Sequence, residues 1–258
     1  MAPMGARSAG AGEGANWVRV LDVDPDLGAG LDQASMDQAR AALRARCVEI
    51  DWATETGDWT PTAPRGHLGL LVVDGLVLRE VRLFETASAQ VLGQGDLLRP
   101  WDMDGDTGLV FGEEIIWTVL SPFTVVALDA AFARRASGWP EVLAALVGRA
   151  VARAKALALQ EAITNLKHVE TRLLVQLWHL SERWGRVGAE RNSLVMPVTH
   201  DMLAKLVGAT RPSVTTALGR LAERALLERD AEGVWLLNRD IREVVASSFS
   251  RPEPAVAD

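Results

Sequence analysis

The 258 residues allow one large or two modest domains, and a hydrophobic share of 48% is enough for a buried core. A single cysteine, Cys47, excludes a disulfide framework, a cysteine-rich zinc site and a cysteine-ligated iron–sulfur cluster, and the lack of a bilayer-length apolar run or secretory segment leads us to expect a cytoplasmic protein. The net charge of −7 does not exclude nucleic acid: residues 1–137 carry 11 Lys+Arg against 20 Asp+Glu (−9), whereas residues 163–247 carry 12 against 10 (+2), and local charge decides where phosphate is accepted.

Residues 1–15 are Gly/Ala/Ser-rich and read as a disordered tail, as do residues 251–258. Asp32 to Arg46 reads as a short helix with Ala34, Ala39 and Leu43 inward. From Val48 to Phe132 the texture turns to short β-rich runs broken by Gly, Pro and Asp. They are Val48–Trp52, Gly69–Val73, Leu76–Phe84, Ala89–Leu92, Ile115–Leu120 and Thr124–Leu128. Asp74-Gly75 reads as a tight hairpin turn. Several short strands at this spacing predict a small antiparallel barrel or jelly roll.

Trp139-Pro140-Glu141 opens a long helix to about Leu166, with Pro suited to its first turn and Glu to the positive end of its dipole. Val142, Leu143, Leu146, Val147, Ala150, Ala154 and Leu157 line one stripe. Small residues let two backbones approach, so Leu143, Leu146, Val147, Ala150, Ala154 and Leu157 are the candidate dimerisation residues. The plainer reading is a helix packed on its own domain. His168 to Trp184 is a further amphipathic helix, with Val169, Leu173, Leu174, Leu177 and Leu180 inward, and Arg186 to Pro197 reads as a loop.

Thr199 to Leu227 carries the most information. A first helix has Met202, Leu203, Leu206 and Val207 on one face, and a second has Val214, Ala217, Leu218, Leu221 and Leu226. Gly208 supplies the left-handed residue between them, and Thr210 can cap the second. This is a helix-turn-helix, the motif that sets a recognition helix in a DNA major groove. The exposed side of its second helix offers Arg211, Ser213, Thr215, Thr216, Gly219 and Arg220, with no acid before Glu223, and Pro212 stands with them among the candidate DNA-binding residues. A helix chosen only for packing and solubility would mix signs. Leu227 to Leu236, with Glu232-Gly233 at the turn, reads as the hairpin that makes a winged helix.

With Val198-Thr199-His200-Asp201-Met202-Leu203-Ala204 and Val207-Gly208-Ala209-Thr210-Arg211-Pro212-Ser213-Val214 in place, the chain resembles the Crp/Fnr family of bacterial transcription regulators from about Leu68 onward. Val169 to Leu174 is similar to the family's helix after the dimer helix, and Leu92-Gly93-Gln94-Gly95-Asp96-Leu97 to one of its glycine turns. The resemblance implies an α+β fold: a cyclic-nucleotide-binding-like β-roll over 16–137, a dimerisation helix over 138–166 and a winged helix-turn-helix over 167–250. It implies a homodimer on a near-palindromic promoter, with RNA polymerase as a further partner. By position, Arg211 reads a guanine edge, while Thr199 and Thr210 hold phosphates. Many members have Glu where Pro212 stands and Arg where Thr216 stands, so a divergent half-site is implied.

The family's cyclic-nucleotide cassette is degenerate here. Arg99-Pro100 occupies the place of its Gly-Glu, and Phe111-Gly112-Glu113 is displaced. Glu113-Glu114 stands where an arginine would meet the phosphate, and a second carboxylate there repels one. An effector other than cyclic AMP, or none, is expected; a cyclic-nucleotide-responsive activator is the alternative. Arg99, Trp101, Glu113 and Trp117 are the candidate effector residues. Asp102, Asp104, Asp106 and Glu113 fit positions of a calcium loop, but Thr107 replaces its required Gly and no helix precedes it, so a solvated loop is the better reading and no metal is expected. A cupin-like enzyme would need a histidine cluster, and only His67 falls in the β-rich part, so no enzyme is expected. A remote alternative is a protein-interaction module that uses the winged helix as a scaffold.

Overall fold

A computed structural model describes residues 16–50, 67–99 and 113–238, with Ile241 and Val245 beyond them. Trp52, Trp59, Trp101, the acidic loop from Asp102 and both tails lie outside the described residues.

The chain opens with β1 (Asn16–Arg19), α1 (Val20–Val23), a 3-10 turn at Pro25–Gly28 and α2 (Gln33–Ala42). Asp32 caps α2, its carboxylate accepting the Ser35 N–H at 2.8 Å. The helix expected to reach Arg46 stops four residues earlier, because Arg44-Ala45-Arg46 already alternates exposed and buried as the start of β2 (Arg44–Ile50). Ala39 and Leu43 are buried as expected, but Ala34 is exposed and Met36 packs inward instead.

There follow β3 (Gly69–Asp74), β4 (Leu76–Leu83), β5 (Thr86–Gly93), β6 (Leu97–Leu98), β7 (Glu114–Val119) and β8 (Phe123–Leu128). They form two sheets, ordered β1-β2-β8-β3-β6 and β5-β4-β7. Asp74-Gly75 is therefore not a hairpin: β3 and β4 pair with different strands, and Gly75 (φ +85°) carries the chain from one sheet to the other. A Cβ there would lie 2.0 Å from the Pro122 carbonyl oxygen, so only glycine fits. The true hairpin joins β4 to β5 through Phe84-Glu85, with Phe84 itself at φ +54°.

The sheets face each other across Leu70, Val72, Val77, Leu92, Leu98, Trp117, Phe123 and Val125. The outer face of the larger sheet is covered by α1, α2, α3 (Ala130–Ala136) and the first turns of α4 (Pro140–Thr164), through Val20, Leu21, Leu27, Phe132, Val142 and Leu146. The outer face of the smaller sheet presents Leu76, Leu78, Ala89 and Val91, and these join the core of the C-terminal helices.

Those helices are α5 (Val169–Trp184), α6 (His200–Val207) and α7 (Arg211–Glu223), backed by β9 (Arg186–Val187), β10 (Arg191–Val195), β11 (Leu227–Arg229) and β12 (Val234–Asn238) in the order β11-β12-β10-β9. The expected loop at 186–197 thus contains two strands. Its alternation is hidden because one inward position is polar: Asn192 is buried with Leu194, its amide donating to Ser181 Oγ at 3.1 Å.

The stripe expected on α4 divides. Val142 and Leu146 are buried against the β-roll and Leu143 is half-buried there, so Leu146 is spent within its own chain. Val147, Ala150, Ala154 and Leu157 remain exposed, joined by Val151, with Val147 at 64%. A 25-residue helix makes about seven turns, and its early and late turns meet different neighbours. Among the described residues, no helix is long and apolar enough to cross a membrane.

Candidate nucleic-acid interface and sensor cavity

The reading head is built from two caps and one left-handed residue. Thr199 caps α6, its hydroxyl oxygen accepting the Met202 N–H at 3.2 Å. Gly208, at φ 59° and ψ 50°, ends α6 and reverses the chain. Thr210 caps α7, accepting the Ser213 N–H and lying 2.8 Å from Ser213 Oγ. Val214, Ala217 and Leu221 then bury one face, with Leu203, Leu206 and Val207 of α6 in the same cluster.

The opposite face of α7 is open to solvent. Arg211, Pro212, Ser213, Thr215, Thr216 and Arg220 are all exposed, as is Thr210. Thr215 is oriented by two contacts, donating to the Arg211 carbonyl at 3.0 Å and meeting His200 Nδ1 at 2.9 Å. Free N–H groups at a capped helix start, beside hydroxyls and a guanidinium, suit phosphate oxygens and base edges. Arg220 is placed otherwise than its sequence position implied. Glu170, at the start of α5, holds it at 3.1 Å and reaches Arg224 at 3.8 Å. A groove of about 510 Å³ runs between this end of α5 and α7, past Lys167, His168, Pro212, Ser213, Thr216 and Arg220.

Two positioning residues were not singled out by sequence reasoning. Arg172 donates from Nε to the Leu166 carbonyl at 2.6 Å and from Nη1 to the Gly208 carbonyl at 2.9 Å, tying the turn to the end of the long helix. Trp235 on the wing donates its indole N–H to the Met196 carbonyl at 3.0 Å. An arginine in an amphipathic helix carries no signal of a backbone partner 36 residues away.

The sensor candidates scatter. Arg99 braces backbone, donating to the carbonyls of His67 and Leu68 at 2.9 and 3.0 Å. Trp117 is 9% exposed and fills the core between the sheets; Glu113 is half-buried just before β7. Trp101 lies outside the described residues. A cavity of about 510 Å³ opens instead between β4, β5 and α4. Arg79, Ser88 and Gln90 line it from the sheet, and Ala154, Leu157 and Gln160 from the helix. None of Arg99, Glu113 and Trp117 does so. Arg79 has the signature a sequence scan overlooks: a charge among Leu78, Glu80 and Val81 reads as an outward strand position, yet it points between the sheets.

The head is locked to the sensor by charge as well as by apolar packing. Lys205 of α6 reaches Glu80 of β4 and Asp201, each at 2.9 Å. Burial would lower the Lys205 pKa, but its hydrogen bonds to Asp201 and Glu80 and their charges outweigh it and hold it above the ordinary lysine value. Glu80 also accepts from Arg82. Arg183 of α5 meets the buried Asp96 at 2.6 Å, while the other Asp96 oxygen accepts the Gly93 N–H at 2.9 Å. Gln160 of α4 bridges the units, donating to the carbonyls of Ala89 and Leu206.

A β-roll, a long helix with an outward apolar face and an exposed helix on a winged scaffold together make the architecture of a DNA-binding regulator of transcription. Residues 171–241 match the Crp-like helix-turn-helix domain. The chain is 27% identical over 210 residues to the probable transcriptional regulator flp of Lacticaseibacillus casei, covering 79% of this chain and 90% of that one. It shares the fold of a CRP/FNR family regulator from Thermus thermophilus, with a TM-score of 0.56, 20% identity and coverage of 80% and 100%. FixK2 from Bradyrhizobium japonicum superposes with a TM-score of 0.57 at 15% identity, over 81% and 99% of the two chains. Residues 171–241 thus carry a Crp-like helix-turn-helix domain, and the chain shares the fold of CRP/FNR-family regulators.

Proposed function

We propose that the protein acts as a homodimer on a near-palindromic promoter site, reading each half with α7. The observation that carries this is the exposed, acid-free start of α7, where Arg211, Ser213, Thr215 and Thr216 stand on a helix fixed by Thr210, Gly208 and Arg172. Arg211 takes a guanine edge through O6 and N7, while Thr199 and Thr210 take phosphates. Pro212 cannot accept a hydrogen bond from a cytosine, so the half-site departs from that of members with Glu there. Pairing uses the outward face of α4, from Val147 through Ala150, Val151 and Ala154 to Leu157. Two copies so joined present their reading helices to successive major grooves about 34–36 Å apart. RNA polymerase is the further partner, and the protein works in the cytoplasm.

The β-roll takes an effector other than cyclic AMP, or none, because Glu113 and Glu114 occupy the place of the phosphate-binding arginine. The test is selection of fragments from a genome by the purified protein, beside Arg211→Ala. A palindrome enriched by the wild type and lost in the variant is the expected result. Equal enrichment by both would sink the assignment of Arg211, and no enrichment with or without cell extract would sink the regulator reading.

A further inference from the structure

His200 opens α6 directly after the capping Thr199, and its half-buried ring reaches across to α7. Its Nδ1 lies 2.9 Å from Thr215 Oγ1. The ring therefore stands between two residues of the proposed DNA face, Thr199 beside it in the chain and Thr215 beside it in space. The contact fixes a proton as well as a position. A threonine hydroxyl has one proton to give. Thr215 gives it to the Arg211 carbonyl at 3.0 Å, so the bond to His200 is donated by the ring, and Nδ1 carries the proton. Nε2 of the neutral ring is then a bare lone pair. Among the described residues the ring makes no other hydrogen bond or ion pair. The charged groups on the two helices are Asp201, which Lys205 holds at 2.9 Å, Lys205 itself, which Glu80 shares, and on α7 Arg211 and Arg220, the latter held by Glu170. Neither helix gives the ring a carboxylate of its own.

The backbone oxygens of DNA only accept hydrogen bonds, so a bare Nε2 repels them and a protonated one is attracted. We propose that His200 is a proton-linked phosphate contact. On binding DNA the ring takes one proton from solvent and donates Nε2–H to a backbone oxygen, while Nδ1–H keeps its bond to Thr215. In a helix-turn-helix the first helix lies across the DNA backbone, and His200 is at the start of that helix. An imidazole changes charge within about pH 5 to 8, so affinity for duplex DNA falls as pH rises through that range. The proton is bound more tightly in the complex than in the free protein, and by linkage the complex is favoured where the proton is abundant. This deepens the regulator reading above and rests on it.

A phosphate contact is independent of sequence, so the experiment needs no known promoter. The full chain is titrated with a mixed-sequence DNA duplex, read by fluorescence anisotropy, at about pH 6 and about pH 8 over a range of salt. The wild type should bind about tenfold or more tightly at the lower pH. Its salt slope should also steepen there by about 0.9 per subunit, the mark of one more phosphate neutralised. His200→Gln should lose both differences and bind at either pH as the wild type does at the higher one. His200→Arg, always cationic, should bind at either pH as the wild type does at the lower one. His168 is the other histidine beside α7, in the groove at the start of α5, and His168→Gln should keep the wild-type response. The proposal is overturned if His200→Gln keeps the pH response, if the response leaves with His168 instead, or if His200→Arg remains as pH-dependent as the wild type. Wild-type binding that does not change with pH overturns it and leaves the regulator reading standing. No binding of duplex DNA at either pH overturns both.

Discussion

The proposed reading of DNA turns on Arg211. It is exposed at the first position of α7, where a planar guanidinium can present two donors to one base. Arg211→Ala should lower discrimination between a selected site and a scrambled one by about 1–3 kcal/mol while leaving much of the non-specific, salt-dependent binding. Competition binding at two salt concentrations separates the effects. On the same proposal Arg220→Ala should cost less than Arg211→Ala, because DNA must first compete with Glu170 for Arg220. A second residue sets a pH response. Burial, reinforced by the Arg183 charge, lowers the His179 pKa below its ordinary value of 6.5, with Glu182 opposing. The unfolded chain therefore takes up a proton near pH 6.5 that the folded chain resists. Stability should fall as pH drops below about 6.5 and level off below the depressed folded value. Denaturant unfolding of His179→Gln across about pH 5 to 8 should show a shallower decline, and an unchanged slope would reject the assignment.

At the scale of the element, α4 does two jobs on two faces. Val142, Leu146, Arg149, Arg153, Gln160 and Ile163 point at the β-roll and the reading head, Val147, Ala150 and Val151 point away, and Ala154 and Leu157 are exposed at the edge of the cavity beside β4 and β5. An outward apolar row is the surface that the proposed pairing would cover. A carboxylate introduced at Val147, which is 64% exposed, costs the monomer little but places two like charges in the paired state. Val147→Glu should sediment as a monomer with unchanged circular dichroism and should lose the palindrome. Leu146→Ala is the contrasting case: it opens a hole in the sensor core and should cost about 2–5 kcal/mol in denaturant unfolding. Helix α7 shows the same economy, since one face packs on α6 while the other stays open to solvent.

Across the whole molecule, the layers run helices, larger sheet, smaller sheet, reading head, with a core between each pair. The head is therefore not a bead on a flexible string: Leu76, Leu78, Ala89 and Val91 of the sensor share a core with Leu173, Leu203 and Leu206. Glu80, 5% exposed, anchors Lys205 across that junction. Removing the acid leaves the lysine with Asp201 alone. Glu80→Ala should lower the melting temperature and, more tellingly, speed amide hydrogen exchange in α6 relative to the far face of the β-roll. Uniform exchange across both would show that the pair does not fix the junction.

Local signals in the chain were enough for the reading head. Thr199, Gly208, Thr210 and the apolar positions of α6 and α7 act over a few residues, through caps, one left-handed backbone and a helical period, so their spacing alone specified the motif and its exposed face. The strands of the β-roll were legible for the same reason, since Val, Ile and Leu runs end at Gly, Pro and Asp. What needed the third dimension was pairing and partnership. Asp74-Gly75 has hairpin chemistry, yet which strands pair is decided by how two sheets close on a common core. Arg44 and Arg46 belong to a strand because Val126 and Ala127 lie opposite their segment, not because of their own propensity. The division of the α4 stripe, the hold of Arg172 on Gly208, the lock of Glu80 on Lys205 and the inward turn of Arg79 all join residues far apart in the chain. Electrostatic and packing energies depend on distance in space, and sequence spacing encodes that distance only within a helix turn or a strand pair.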